Sequence, residues 1–150
     1  MASTLTQLLY HGIWSTKDRA PLITRAIEEN VWKILASVAT HNEIHVIRAG
    51  GIDDHVHVLM RIPKTMSVAD AMRRIKGGSA KYINEERLCQ GRFGWQDGYG
   101  AFSVSASSVP AVTAYIASQR DHHRMRGFQD EFLDFLEKHG VEYDERYVWG

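Results

Sequence analysis

Apolar residues at Leu22, Ala26, Ile27, Val31, Ile34, Leu35 and Val38 recur at three- and four-residue intervals, the period of a helix with one buried face. Pro21 suits its first turn and His41-Asn42 its end, so a helix is expected between them. Before it, Leu5 to Trp14 is rich in β-branched and aromatic types and closes on Ser15-Thr16-Lys17-Asp18, which predicts a first strand and a turn. After it, Ile44 to Arg48 and His55 to Ile62 are two strand-like runs, joined by the Gly/Asp-rich stretch from Ala49 to Asp54 as in an antiparallel hairpin.

Ser67 and Asp70 form an S-x-x-D start signal, and Val68, Ala71, Met72, Ile75, Ser79, Tyr82 and Ile83 carry the inner stripe of a second helix. A glycine-rich loop from Phe93 then enters a fourth strand with Phe102 and Val104 on one face. Ser108 with Pro110 opens a third helix predicted to run unbroken through Tyr115 and Gln119 to about Arg126. A last helix follows from about Gln129 to His139, with Phe132, Phe135 and Leu136 inward and Gly140 as its stop. The order strand, helix, strand, strand, helix, strand is that of an α+β, ferredoxin-like split βαβ antiparallel sheet, here with additional C-terminal helices.

At 150 residues and 44% hydrophobic, the chain is expected to form a single domain over 1–150 around one core. Its one cysteine, Cys89, precludes an internal disulfide framework and makes a reducing, cytoplasmic compartment the simplest expectation. No stretch has the roughly 20 unbroken apolar residues of a membrane span, so no membrane partner is expected. The formal net charge is zero, which argues against a protein that coats nucleic acid by charge alone. That zero hides an asymmetry, since cations outnumber acids eight to three from Arg61 to Arg92 and acids outnumber cations eight to four from Asp121 to Arg146.

Strand periodicity gives these residues candidate chemistry. In Asp54-His55-Val56-His57-Val58-Leu59-Met60, Val56, Val58 and Met60 face one way, and His55, His57 and Leu59 the other. Both imidazoles are expected side by side on the open sheet face, where neutral rings could hold one divalent cation. Tyr115 and Gln119, four apart, share a helix face, so the phenol could be aimed at a metal-bound phosphate while the amide oxygen completes the shell. His122 and His123 are rival third ligands. Lys17, Arg19, Arg73, Arg74, Lys76, Lys81, Arg92 and Trp95 are candidates for phosphate contacts and base stacking on single-stranded nucleic acid.

These segments resemble the HUH-type single-tyrosine transposases of small bacterial insertion sequences, including REP-associated tyrosine transposases. Ile13-Trp14-Ser15-Thr16-Lys17-Asp18-Arg19 is similar to that family's first strand and turn, and Asp54-His55-Val56-His57-Val58-Leu59 to its His-hydrophobic-His motif. The run from Trp95 to Ser105 and Tyr115-Ile116-Ala117-Ser118-Gln119 resemble its later blocks. The resemblance implies that His55, His57 and Gln119 bind Mg²⁺ or Mn²⁺, and that Tyr115 attacks a DNA phosphodiester to leave a 5′-phosphotyrosine and a free 3′-hydroxyl. It further implies single-stranded DNA hairpins as substrate and a homodimer. Two other classes compete: a non-catalytic ferredoxin-like nucleic-acid-binding module, and a metal hydrolase that activates water at the histidine pair.

Overall fold

The computed structural model describes residues 2–123 and 126–150. Four strands, β1 (Leu9–Ser15), β2 (His45–Ile52), β3 (His55–Arg61) and β4 (Gly100–Ser103), form an antiparallel sheet in the order β2-β3-β1-β4. Helices α1 (Glu28–His41) and α2 (Val68–Glu85) cross one face, which is the split βαβ arrangement expected from the element order. Helices α3 (Val109–Ala117), α4 (Gln119–His122) and α5 (Phe128–Lys138) follow β4.

Alternation along the two central strands feeds two separate apolar clusters. Trp14, Val56, Val58 and Met60 join Val31, Leu35, Met72 and Ile75 in the larger core beneath α1 and α2. On the opposite face Ile13 and Phe102 pack with Phe128, Phe132 and Leu136 of α5. The start signal of α2 is realised, since the Ser67 side chain accepts a hydrogen bond from the Asp70 N–H. Gly78 lets α2 approach α1 closely, because a Cβ there would lie 2.6 Å from Val38 Cγ1.

Several boundaries differ from the sequence expectation. The first strand starts at Leu9, and Leu5 is fully in solvent. The first helix starts at Glu28, seven residues after Pro21; the intervening segment is tied down instead by Ile23, which is buried and whose N–H bonds to the Asp53 carbonyl. Gly50 and Gly51 belong to β2, so the hairpin turns on Asp53-Asp54 alone.

The third helix breaks at Ser118, whose hydroxyl donates back to the carbonyls of Ala114 and Tyr115 and competes with the helical ladder. Among the described residues no helix is long and apolar enough to cross a membrane.

Candidate metal centre and nucleophile

His55 and His57 do lie side by side on the sheet face away from α1 and α2, with ring centroids 5.2 Å apart. That face is not open, which corrects the expectation: α5 lies over it, and both histidines have no solvent exposure. The cover is apolar where Phe128 lies against the His55 ring and polar where Glu131 reaches in.

Glu131 is the residue that sequence reading missed. Its Oε1 lies 2.9 Å from His57 Nε2, 3.2 Å from His123 Nε2 and 3.5 Å from His55 Nε2. Its Oε2 accepts the Tyr115 hydroxyl hydrogen. The signal was available: Phe128, Glu131, Phe132, Phe135 and Leu136 follow helical spacing, so an acid occupies an inward stripe position. Gln119 Oε1 stands 3.0 Å from His55 Nε2 and 3.1 Å from His123 Nε2. Of the two rival histidines, His123 therefore joins the cluster, whereas His122 is exposed and lies against the Tyr115 ring.

Hydrogen bonds on the far side of each ring hold the imidazoles in place. His55 Nδ1 is 2.9 Å from Asp54 Oδ1, and His123 Nδ1 is 2.7 Å from the Arg126 carbonyl. His57 Nδ1 is 2.8 Å from Nε2 of His11, a β1 residue that period-two alternation sends to the same face. With Nδ1 partnered, each Nε2 points into the centre, the arrangement common to metal-binding histidines.

Burial and partners set the protonation states. Burial pushes His55 down, but hydrogen bonds to Asp54 and Glu131 outweigh it and lift the ring to about 9. Burial dominates at His57, which falls to about 4, and at His11, which falls to about 3. Burial alone would raise Glu131, yet its hydrogen bonds with His123, His55 and His57 hold the carboxyl well below the usual range. Tyr115 is pushed well above the usual phenol range by burial and by its contact with the Glu131 carboxylate. Beside this centre a 250 Å³ pocket is lined by Tyr115, His123, Glu131, Arg126 and Lys138. The residues present fit a divalent cation, because imidazole, amide and carboxylate donors converge in a buried centre.

The expected nucleic-acid residues do not act alike. Lys17, Lys81 and Arg92 are exposed around one 790 Å³ groove along α2. Arg73 and Arg74 are paired with Asp70, and Arg74 also donates to Asn42 at the end of α1. Lys76 is half-buried, donates to the carbonyls of Asp97 and Gly98, and is held down to about 8 by that burial. Arg19 is exposed but lies outside the groove lining. Trp95 is 7% exposed, packs edge-on against Trp14 and Phe93, and donates to Ser79 Oγ. It is thus built mostly into the core and leaves only a small part of its surface to the groove, less than the expected stacking platform.

Fold and site together define an α+β protein in which a helix-borne tyrosine meets two strand imidazoles across one buried carboxylate. Residues 4–119 match the family described as "Transposase IS200 like". The ISDra2 transposase TnpA of Deinococcus radiodurans is 30% identical over 121 residues, which cover 77% of this chain and 86% of that protein. The transposase for insertion sequence element IS200 of Salmonella typhimurium is 28% identical over 105 residues, 62% of this chain and 69% of its own.

Among solved structures, a candidate transposase from Deinococcus radiodurans R1 superposes with a TM-score of 0.63 at 26% identity, over 79% of this chain and 95% of that one. A REP-associated tyrosine transposase bound to a REP hairpin shares the fold, with a TM-score of 0.58 at 11% identity over 82% of this chain and 74% of its own. The chain belongs to the IS200-like transposase family, and it is a DNA transposase.

Proposed function

We propose that the protein cuts and rejoins single-stranded DNA through a covalent link between Tyr115 and a 5′-phosphate, with His55, His57 and Gln119 holding Mg²⁺ or Mn²⁺. The observation that carries this reading is the meeting of Tyr115 with that donor set. The phenol hydroxyl bonds to Glu131 Oε2, and the other oxygen of the same carboxylate contacts His57 and His55. A divalent ion bound there supplies Lewis-acid neutralisation of phosphoryl charge.

The chain's own residues supply the rest. Tyr115, neutral in this environment, loses its proton as its oxygen attacks phosphorus, and Glu131 Oε2 is the acceptor already hydrogen-bonded to it. The Oη–P bond forms, the P–O3′ bond breaks, and the departing 3′-oxygen takes up a proton from water, while Glu131 passes the tyrosine's proton back to solvent. Rejoining reverses these events: a 3′-hydroxyl attacks the phosphotyrosine, and Tyr115 leaves as phenolate and regains a proton. The phosphodiester energy is conserved in the covalent link, so no nucleotide cofactor is required. Within the chain, Tyr115 already lies against the carboxylate that faces the histidines.

A DNA hairpin is the proposed substrate. The REP hairpin in the REP-associated relative and the cations Lys17, Lys81 and Arg92 around the α2 groove support it. Labelled single-stranded hairpin DNA from the flanks of the coding region, incubated with and without Mn²⁺, should give a denaturation-resistant protein–DNA adduct only with metal. The adduct should vanish in Tyr115→Phe. Confirmed binding with no adduct in any of several divalent metals would sink the reading.

A further inference from the structure

Building on the metal reading above, we propose that Glu131 and His123 are also metal ligands, and that the resulting three-imidazole site takes a transition-metal dication of the Mn²⁺, Co²⁺ or Zn²⁺ class over Mg²⁺. Both residues lie C-terminal to residues 4–119, the stretch that the family model matches. Five atoms converge: Nε2 of His55, His57 and His123, Oε1 of Gln119 and Oε1 of Glu131.

Their neighbour distances of 2.9, 3.0, 3.1, 3.2 and 3.5 Å span the separations between ligands sharing one ion. With metal–ligand bonds of about 2.1 Å, adjacent donors stand roughly 3.0 Å apart on an octahedron and roughly 3.4 Å apart on a tetrahedron.

Two further observations separate ligation from packing. All three rings have Nδ1 engaged, by Asp54, His11 and the Arg126 carbonyl, which is what holds an imidazole with Nε2 aimed at a metal. Glu131 is 4% exposed on an otherwise apolar helix stripe, and among the described residues the groups against its carboxylate are His55, His57, His123, Gln119 and Tyr115. The ion class follows from the donors. Mg²⁺ favours oxygen and keeps its waters, whereas three imidazoles favour later divalent metals.

The test is metal affinity of the full chain, measured by calorimetry and by the Mn²⁺ spin-resonance signal, with His57→Ala as reference. Wild type should bind Mn²⁺ at least about 10-fold more tightly than Mg²⁺, and His57→Ala should lose Mn²⁺ binding. Glu131→Gln, which keeps the size but removes the charge and one acceptor, and His123→Asn should each weaken Mn²⁺ about 10- to 100-fold. Electron spin-echo modulation should count three coordinated imidazoles in wild type and two in His123→Asn.

If Glu131→Gln and His123→Asn bind Mn²⁺ as tightly as wild type while His57→Ala does not, this inference is overturned and Glu131 is a plug over a two-histidine site. If His57→Ala also binds normally, the metal reading itself falls. A role in packing alone would lower melting temperature in Glu131→Gln without moving affinity or the imidazole count.

Discussion

At the scale of single residues, the site is a set of groups that each need the others to be tolerable in the interior. Glu131 stays ionised in a nearly dry place because three imidazoles contact it. His55 is held between Asp54 and Glu131, whose hydrogen bonds lift it, whereas burial lowers His57 and His11.

Asp54→Asn removes the charged partner that orients His55 and should weaken Mn²⁺ about 10- to 100-fold, as read by calorimetric titration. Tyr115→Phe should abolish the adduct yet leave Mn²⁺ affinity within about twofold, because the phenol contacts Glu131 Oε2 and not the Oε1 that faces the imidazoles. Equal loss of metal binding in that variant would make Tyr115 a ligand and remove it as nucleophile.

The strand histidines were legible because period two is a local property of any strand. Glu131 was legible only as an acid on an apolar stripe, since its partners come from other parts of the chain.

At the scale of elements, the position of the tyrosine helix depends on two features the periodicity did not show. The first is the break at Ser118, which starts α4 at Gln119 and lets the amide reach His55. A continuous helix was expected because nothing in Tyr115-Ile116-Ala117-Ser118-Gln119 is a strong helix breaker, and the Ser118 hydroxyl acts only through the geometry it finds.

The second feature is Gly50 on β2, where a Cβ would stand 2.9 Å from the backbone oxygen of Ile116, next to the nucleophile. Gly50→Ala should push α3 off the sheet and cost about 1–3 kcal/mol. In a protein of this size that lowers the melting temperature by several degrees, and adduct formation should slow more than Mn²⁺ affinity falls. An unchanged melting point would mean that α3 does not need this approach.

At the scale of the whole molecule, zero net charge makes DNA affinity a matter of where cations sit. The middle of the chain supplies Lys81 and Arg92 to the α2 groove, and the turn after β1 supplies Lys17. Arg73, Arg74 and Lys76 are already paired or half-buried and have less to give.

Lys81→Ala and Arg92→Ala should each reduce the slope of log affinity against log salt by about 1, measured by fluorescence anisotropy on hairpin DNA. Arg73→Ala should change it little. A reversed ranking would shift the DNA track off the groove.

The sequence by itself determined the split βαβ order, the two-faced strands, the Ser67 start of α2 and the pairing of His55 with His57, because each follows from spacing within a few residues. Tertiary structure alone decided that α5 closes the histidine face, that Trp95 is core, and that His11 and Glu131 meet His57 across 46 and 74 residues of chain. Helical and strand periods say which way a side chain points. They carry no information on which distant side chain will be there, and that is settled by sheet order and by the packing of α5 over it.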